Sequence, residues 1–155
     1  MIKVLFVCHG NICRSPMAEF IFKDKVKKMG EEHSFYIESK ATSFEEIGNG
    51  VYPPVRRILN NMGIDTSGKT ACHTEKTDYR DFDFLIGMDN MNIRNMQRIY
   101  GGDPEGKIFK LMEFAGSSAD VSDPWYTGEF LKTKLDVIKG LDGFILYLKE
   151  KGYLK

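Results

Sequence analysis

The sequence predicts an α/β sandwich built on a parallel sheet. Short apolar runs alternate with segments of helical periodicity, and no repeat, low-complexity tract or linker divides the 155 residues. The first run also ends abruptly: Ile2–Val7 passes straight into Cys8-His9-Gly10-Asn11-Ile12-Cys13-Arg14-Ser15, too short and too unusual to be an idle connection. One domain over residues 1–155 is expected, long enough to bury a substantial core.

Ile2–Val7 reads as a buried strand and Met17–Met29 as the helix after it, with Met17, Phe20, Ile21, Phe22 and Val26 favouring one side. Ser15 is a good N-cap residue, and Pro16 suits the first helical position, where its missing N–H costs nothing. Phe35–Ser39 is the second strand. A polar loop over Ala41–Pro54 leads into a helix marked by Val55, Ile58, Leu59 and Met62 and stopped by Gly63. Phe82–Met88 is the third strand, a helix follows around Met91–Tyr100, and Gly101-Gly102-Asp103-Pro104 is a turn. Lys107–Leu111 is the fourth strand. A loop over Ser117–Thr127 carries Asp123-Pro124-Trp125-Tyr126. Leu131, Leu135, Ile138, Leu141, Ile145 and Leu148 then recur at three- and four-residue steps, the mark of a long amphipathic helix.

Lys plus Arg equals Asp plus Glu at 22 each, which argues against a broad basic face for nucleic acid or a membrane surface. No apolar run approaches membrane-spanning length, and the N-terminal run is far shorter than the core of a signal peptide. Three cysteines are too few for a disulfide framework, so a reduced, cytoplasmic protein is expected, with cysteines available for chemistry or packing.

In open parallel sheets ligands bind beyond the carboxyl ends of the strands, where the Cys8 turn lies. Backbone N–H groups of a strand-to-helix loop can converge on an anion, with the free N–H groups of the first helical turn beside them. Gly10 permits angles that a side chain would forbid, and Arg14 adds a planar fork of donors suited to phosphate. The potential that holds phosphate also favours a thiolate at Cys8, and Ser15 can donate a hydrogen bond to its sulfur. Asp123 sits on a distant loop able to cover the pocket and to protonate a leaving oxygen, and Trp125 and Tyr126 could line a slot for a flat substrate. Double displacement at phosphorus follows, with Cys8 as nucleophile, Arg14 and the loop N–H groups as oxyanion holders, and Asp123 as acid and then base. No metal or cofactor is required.

Cys8-x5-Arg14-Ser15, with Gly10-Asn11-Ile12-Cys13 inside it and Pro16 after it, resembles the signature loop of the low-molecular-weight protein tyrosine phosphatases. Ile37-Glu38-Ser39, Gly63-Ile64, Phe82-Asp83, Met88-Asp89 with Asn92, and Asp123-Pro124-Trp125-Tyr126 fall in family order along nearly the whole chain. The resemblance implies a three-layer sandwich, a four-stranded parallel sheet flanked by helices, that hydrolyses phosphotyrosine monoesters. It makes Cys8 the nucleophile, Arg14 the phosphate-binding arginine and Asp123 the general acid. It puts His9, Gly10, Asn11, Ile12, Cys13, Ser15, Trp125 and Tyr126 around the substrate, Asn11, Ser15 and Ser39 in a network that shapes the loop, and Asp89 behind the arginine. Cys13 would pair reversibly with Cys8 under oxidation. The implied partner is a phosphotyrosine protein or a small aryl phosphate, acted on by a monomer or weak dimer.

Three positions depart from the family pattern. A histidine that completes the loop network in some members aligns with Gly68, a pocket-wall tryptophan aligns near Glu45 with Phe44 adjacent, and position 9 is His. Other readings stand beside the phosphatase. Arsenate reductase shares the cysteine loop but needs two further cysteines, and only Cys72 lies beyond it. Protein arginine phosphatase tends to carry threonine at the position of Ile12. A silent phosphate-binding module would need neither nucleophile nor acid. A metal site at Cys8, His9 and Cys13 lacks a second ligand pair, and no G-x4-G-K-[ST] run supports a nucleotide site. Cys72 is expected to be a small buried hydrophobe, packing in the helix start is the alternative role for Cys13, and His33 and His73 are expected to be solvated loop residues.

Overall fold

The computed structural model describes residues 1–155. Four strands, β1 (Ile2–Cys8), β2 (Phe35–Ala41), β3 (Phe84–Gly87) and β4 (Ile108–Lys110), form one sheet in the order β2-β1-β3-β4, parallel throughout. Val4 is opposite Ile37 on one side and Phe84 on the other, so β1 is central. Its continuous apolar run Val4–Val7 suits a strand covered on both faces.

Six helices flank the sheet: α1 (Arg14–Lys28), α2 (Pro53–Asn61), α3 (Asp78–Asp81), α4 (Asn90–Tyr100), α5 (Pro124–Thr127) and α6 (Phe130–Glu150). The alternation of β1 divides the core between the two faces. Val4, Phe6 and Cys8 pack with Met17 and Phe22 of α1, Val55 and Leu59 of α2, and Val137, Leu141 and Phe144 of α6. Leu5 and Val7 pack on the other face with Tyr79 of α3, Phe82, and Met96 and Tyr100 of α4. The architecture is therefore three layers, with every β1 side chain from Val4 onward buried.

Several expected boundaries move. The first helix begins at Arg14 rather than Met17, with Cys13 as its unassisted N-cap. Ser15 lies inside the first turn and caps nothing, because its hydroxyl is held by Cys8 and Asn11. Pro16 is the third helical residue, still within the turn whose N–H groups lack partners. The third strand shortens from Phe82–Met88 to Phe84–Gly87. The loop over Ser117–Thr127 contains α5, capped by Asp123. A 3₁₀ helix, Leu111–Ala115, follows β4.

The stripe expected on the last helix is displaced. Leu131 and Leu135 are each 66% exposed, and the buried side runs through Thr133, Val137, Gly140, Leu141, Phe144, Ile145 and Leu148. The glycines explain the rotation. A Cβ on Gly140 would lie 2.5 Å from Leu111 Cγ, and one on Gly143 would lie 2.1 Å from the Phe114 carbonyl oxygen. This side alone admits the backbone of the 3₁₀ helix, so it faces inward and the two leucines face solvent.

Candidate active site

Cys8 is the last residue of β1, and the chain turns at once beneath it. The backbone of this turn is tied to the loop after β2: Thr42 N–H donates to the Cys8 carbonyl (3.0 Å), Ser43 N–H to that of His9 (3.1 Å) and Tyr52 N–H to that of Ile12 (2.9 Å). These bonds engage the carbonyls of Cys8, His9 and Ile12 and leave most N–H groups of the turn without partners. Those of Gly10, Ile12, Cys13, Arg14 and Ser15 have no acceptor within the chain, and Asn11 N–H donates to Cys8 Sγ at 3.3 Å.

The left-handed residue of the turn is Asn11, at φ 59°, and not Gly10. Asparagine tolerates that region better than most side chains, and here the conformation aims its N–H at the sulfur. Gly10 serves a different end: a Cβ there would sit 3.3 Å from Glu46 Cγ, tight enough that the Glu46 side chain would have to shift by a few tenths of an ångström.

Arg14 is buried at 2% exposure, with Nη1 engaged twice, Nη2 once, and donors left over for a ligand. Nη1 donates to Asp89 Oδ2 (2.6 Å) and to the Val121 carbonyl (2.9 Å), while Nη2 reaches Asp123 Oδ2 at 3.5 Å. Burial acts to lower its pKa, but the charges of Cys8, Asp89 and Asp123 outweigh it and raise the pKa. Asp123 Oδ1 accepts from Trp125 N–H at 3.0 Å, which caps α5 and fixes the carboxylate beside the arginine. The segment before it is stitched down by Val121, whose N–H donates to the Met88 carbonyl at the end of β3 (2.9 Å).

Cys8, Arg14 and Asp123 line one cavity with His9, Gly10, Ile12, Cys13, Trp125 and Tyr126. Glu45 and Glu46 complete its mouth, and His9 Nε2 meets Glu45 Oε2 at 2.9 Å. Trp125 leans on Tyr52 at 4.9 Å between ring centroids, and Tyr126 is 83% exposed. Burial first, then the charges of Cys8 and Asp123, push the Cys13 thiol up to about 12, with Arg14 opposing.

Asn11, Ser15 and Ser39 are joined by hydrogen bonds. Asn11 Nδ2 donates to Ser15 Oγ (2.8 Å) and to Ser39 Oγ (2.9 Å), and Ser15 Oγ lies 3.0 Å from Cys8 Sγ. Two members escaped sequence reasoning. Glu19 accepts from Ser39 Oγ at 2.5 Å, and Lys69 donates to the Ser39 carbonyl at 2.7 Å. Glu19 carried a signal, a carboxylate among the buried apolar residues Met17, Ala18, Ile21 and Phe22; Lys69 carried none.

Two expectations outside the cavity fail. Cys72 is exposed, held in place by its backbone, whose N–H donates to Asn11 Oδ1 at 3.2 Å. His73 is not simply solvated: its ring stacks on Phe44 at 3.9 Å and Nε2 lies 3.1 Å from the Thr42 carbonyl.

Residues 3–152 match the family model described as low molecular weight phosphotyrosine protein phosphatase. The chain is 42% identical over 132 residues to the low molecular weight protein-tyrosine-phosphatase YfkJ of Bacillus subtilis, covering 84% of this chain and 85% of that protein. It is 36% identical to the Staphylococcus aureus phosphatase PtpA over 156 residues, 100% of this chain and 99% of the other. The crystal structure of YfkJ superposes with a TM-score of 0.94 at 36% identity, covering 98% of this chain and 97% of that one. The chain belongs to the low molecular weight phosphotyrosine protein phosphatase family.

Proposed function

We propose that residues 1–155 of this cysteine-dependent phosphatase act as a single domain on phosphotyrosine monoesters, of a protein or a small aryl phosphate, by two displacements through Cys8. The supporting observation is the position of the Cys8 sulfur. It accepts from Asn11 N–H and contacts Ser15 at the floor of a cavity that also holds Arg14, Asp123 and a ring of free N–H groups.

In the first displacement the Cys8 sulfur attacks phosphorus, the S–P bond forms and the P–O bond to the aryl group breaks. Asp123 gives its proton to the departing phenol oxygen. Arg14 and the N–H groups of the turn hold the three equatorial oxygens, where negative charge is greatest. In the second, Asp123 takes a proton from water, the oxygen attacks phosphorus, and the S–P bond breaks to release inorganic phosphate and the Cys8 thiolate. Asp123 is held at the cavity for both steps by its own side chain, whose Oδ1 accepts from Trp125 N–H and whose Oδ2 faces Arg14 Nη2.

Ile12 lines the cavity with Trp125 and Tyr126, which suits an aromatic leaving group better than a guanidinium. Cys13 shares the cavity, an arrangement in which a Cys8 sulfenic acid formed by peroxide condenses with the Cys13 thiol to a disulfide and water. A reduced cytoplasm suits this chemistry, and no helix is long and apolar enough to cross a membrane.

Hydrolysis of p-nitrophenyl phosphate with excess EDTA tests the scheme on wild type, Cys8→Ser and Asp123→Ala. Wild type turns over, Cys8→Ser is inactive, and Asp123→Ala slows by roughly 10²–10⁴-fold. Phosphotyrosine peptides are then cleaved in preference to phosphoarginine peptides. A folded, reduced wild type without activity, or a fully active Cys8→Ser, overturns the reading.

A further inference from the structure

We infer that Glu19 is a positioning residue: held by Lys69 and Lys23, its carboxylate sets the direction of the hydrogen bonds from Ser39 through Asn11 to Ser15 and so turns the Ser15 hydroxyl proton toward Cys8. The inference rests on the reading of Cys8 as nucleophile.

The direction of each bond follows from what its two atoms can do. Cys72 N–H can only donate, so the atom of Asn11 facing it is the carbonyl oxygen. Asn11 Nδ2 therefore faces Ser39 and Ser15 and spends one hydrogen on each. Ser15 Oγ, already accepting, keeps its own proton for the neighbouring sulfur, 3.0 Å away. Ser39 Oγ is likewise accepting from Asn11 and must send its proton elsewhere. Its acceptor is Glu19 Oε1, at 2.5 Å.

An ionised carboxylate accepts only, so Glu19 allows no other arrangement at Ser39. Its side chain is 5% exposed, and it has cationic partners on both oxygens. Lys69 Nζ is 3.3 Å from Oε1, and Lys23 Nζ, one turn along α1, is 2.5 Å from Oε2. Lys69 also donates to the Ser39 carbonyl, so the same ammonium fixes both the strand and the acid. A protonated or amide group at position 19 could donate to Ser39 instead. The Ser39 proton, no longer claimed by an acceptor, would then compete with the Asn11 Nδ2 hydrogen for the space between them. Either that bond is lost or the amide turns over and gives up Cys72 N–H, and in both cases the donor to Ser15 is no longer held in place. The cluster lies behind the turn, outside the substrate cavity, so it acts on chemistry only through the sulfur.

The test reads the sulfur directly. Glu19→Gln keeps the shape of the side chain and removes its acceptor-only character. Alkylation of Cys8 by iodoacetamide, localised by mass spectrometry and blocked by inorganic phosphate, is expected to slow about tenfold at pH 6, the cost of one misdirected hydrogen bond, with the pH profile displaced upward. Lys69→Met shifts it in the same direction and Lys69→Arg does not. Ser39→Ala gives the same displacement, and combined with Glu19→Gln it adds little, because both break one chain. A purely structural role would lower the unfolding temperature, leave the alkylation profile in place and make the two effects additive; that result overturns the inference. Where Glu19→Gln does not fold, Lys69→Met decides by the same profile. Alkylation needs no phosphatase substrate, so a wild type inactive on p-nitrophenyl phosphate but still sensitive to Glu19→Gln would sink the phosphatase reading alone.

Discussion

Asp89 holds Arg14 with one carboxylate oxygen and caps a helix with the other. Oδ2 accepts from Arg14 Nη1 at 2.6 Å, and Oδ1 accepts from Asn92 N–H at 2.7 Å in the first turn of α4. Asn92 Oδ1 in turn accepts from the N–H groups of Met88 and Asp89, at 3.0 and 3.1 Å. The reciprocal cap fixes the carboxylate, and the carboxylate fixes the guanidinium across a separation of 75 residues.

Replacing Asp89 separates these duties. Asp89→Ala loses both and is expected to cost about 1–3 kcal/mol in urea unfolding, with kcat/KM for p-nitrophenyl phosphate reduced about 10–100-fold. Asp89→Asn retains a capping oxygen, so it recovers most of the stability and little of the activity. Equal losses of stability in the two variants would contradict the division of labour.

Cys13 predicts an alkaline limit to stability. The folded protein holds this thiol proton up to about 12, against an ordinary value of 9.0. The unfolded chain releases it at the ordinary value, so between about 9 and about 12 the folded state binds more protons and stability falls as pH rises; below that window the contribution is complete. Cys13→Ser should flatten this decline in urea midpoints taken from pH 8 upward. At pH 8, iodoacetamide should label Cys8 and the exposed Cys72 in the native protein and reach Cys13 only in urea. After peroxide, a dithiothreitol-reversible bond between Cys8 and Cys13 should appear by peptide mapping.

The acidic mouth predicts a preference among peptides. Glu45, Glu46 and Asp123 line the cavity, whereas the basic groups there are His9 at the rim and Arg14 at the buried floor. Phosphotyrosine flanked by Lys or Arg should show a kcat/KM several-fold above that of the Asp- or Glu-flanked peptide, fading as salt shortens the Debye length below about 8 Å. Glu45→Lys with Glu46→Lys should reverse the order while leaving p-nitrophenyl phosphate turnover nearly unchanged. Identical rates for both peptides at low salt would dismiss any role for the rim.

Gly143→Ala probes the contact that orients α6. Its Cβ would meet the Phe114 carbonyl at 2.1 Å, and backbone cannot yield as a flexible side chain would. A loss of about 2–4 kcal/mol is expected from chemical denaturation. Gly106→Ala, at φ 64° in open space, should cost only about 1–2 kcal/mol, the strain of a left-handed residue. A milder effect at Gly143 than at Gly106 would refute the packing account.

Local patterns were legible wherever the deciding contacts lie close in sequence. The apolar runs marked all four strands, and the eight residues from Cys8 to Ser15 carry the turn, its donors and its sulfur in one stretch. Errors arose where a residue had a second claim on it. Ser15 has the chemistry of an N-cap but spends its hydroxyl on Cys8 and Asn11, which moves the helix start to Arg14. Leu131 and Leu135 keep the period of a buried stripe, yet close approach at Gly140 and Gly143 turns another side inward.

By itself the sequence determined the α/β architecture and the spacing of Cys8, Asn11, Arg14 and Ser15, because covalent geometry confines eight residues leaving a strand to a few shapes. Only the tertiary structure decided which distant groups complete the site. Arg14 meets the Val121 carbonyl across 107 residues, and Ser39 meets Glu19 because β2 is aligned with β1 beside α1. Such pairings depend on strand register and helix rotation, which are set by burial summed over the whole core, so the local sequence does not record them.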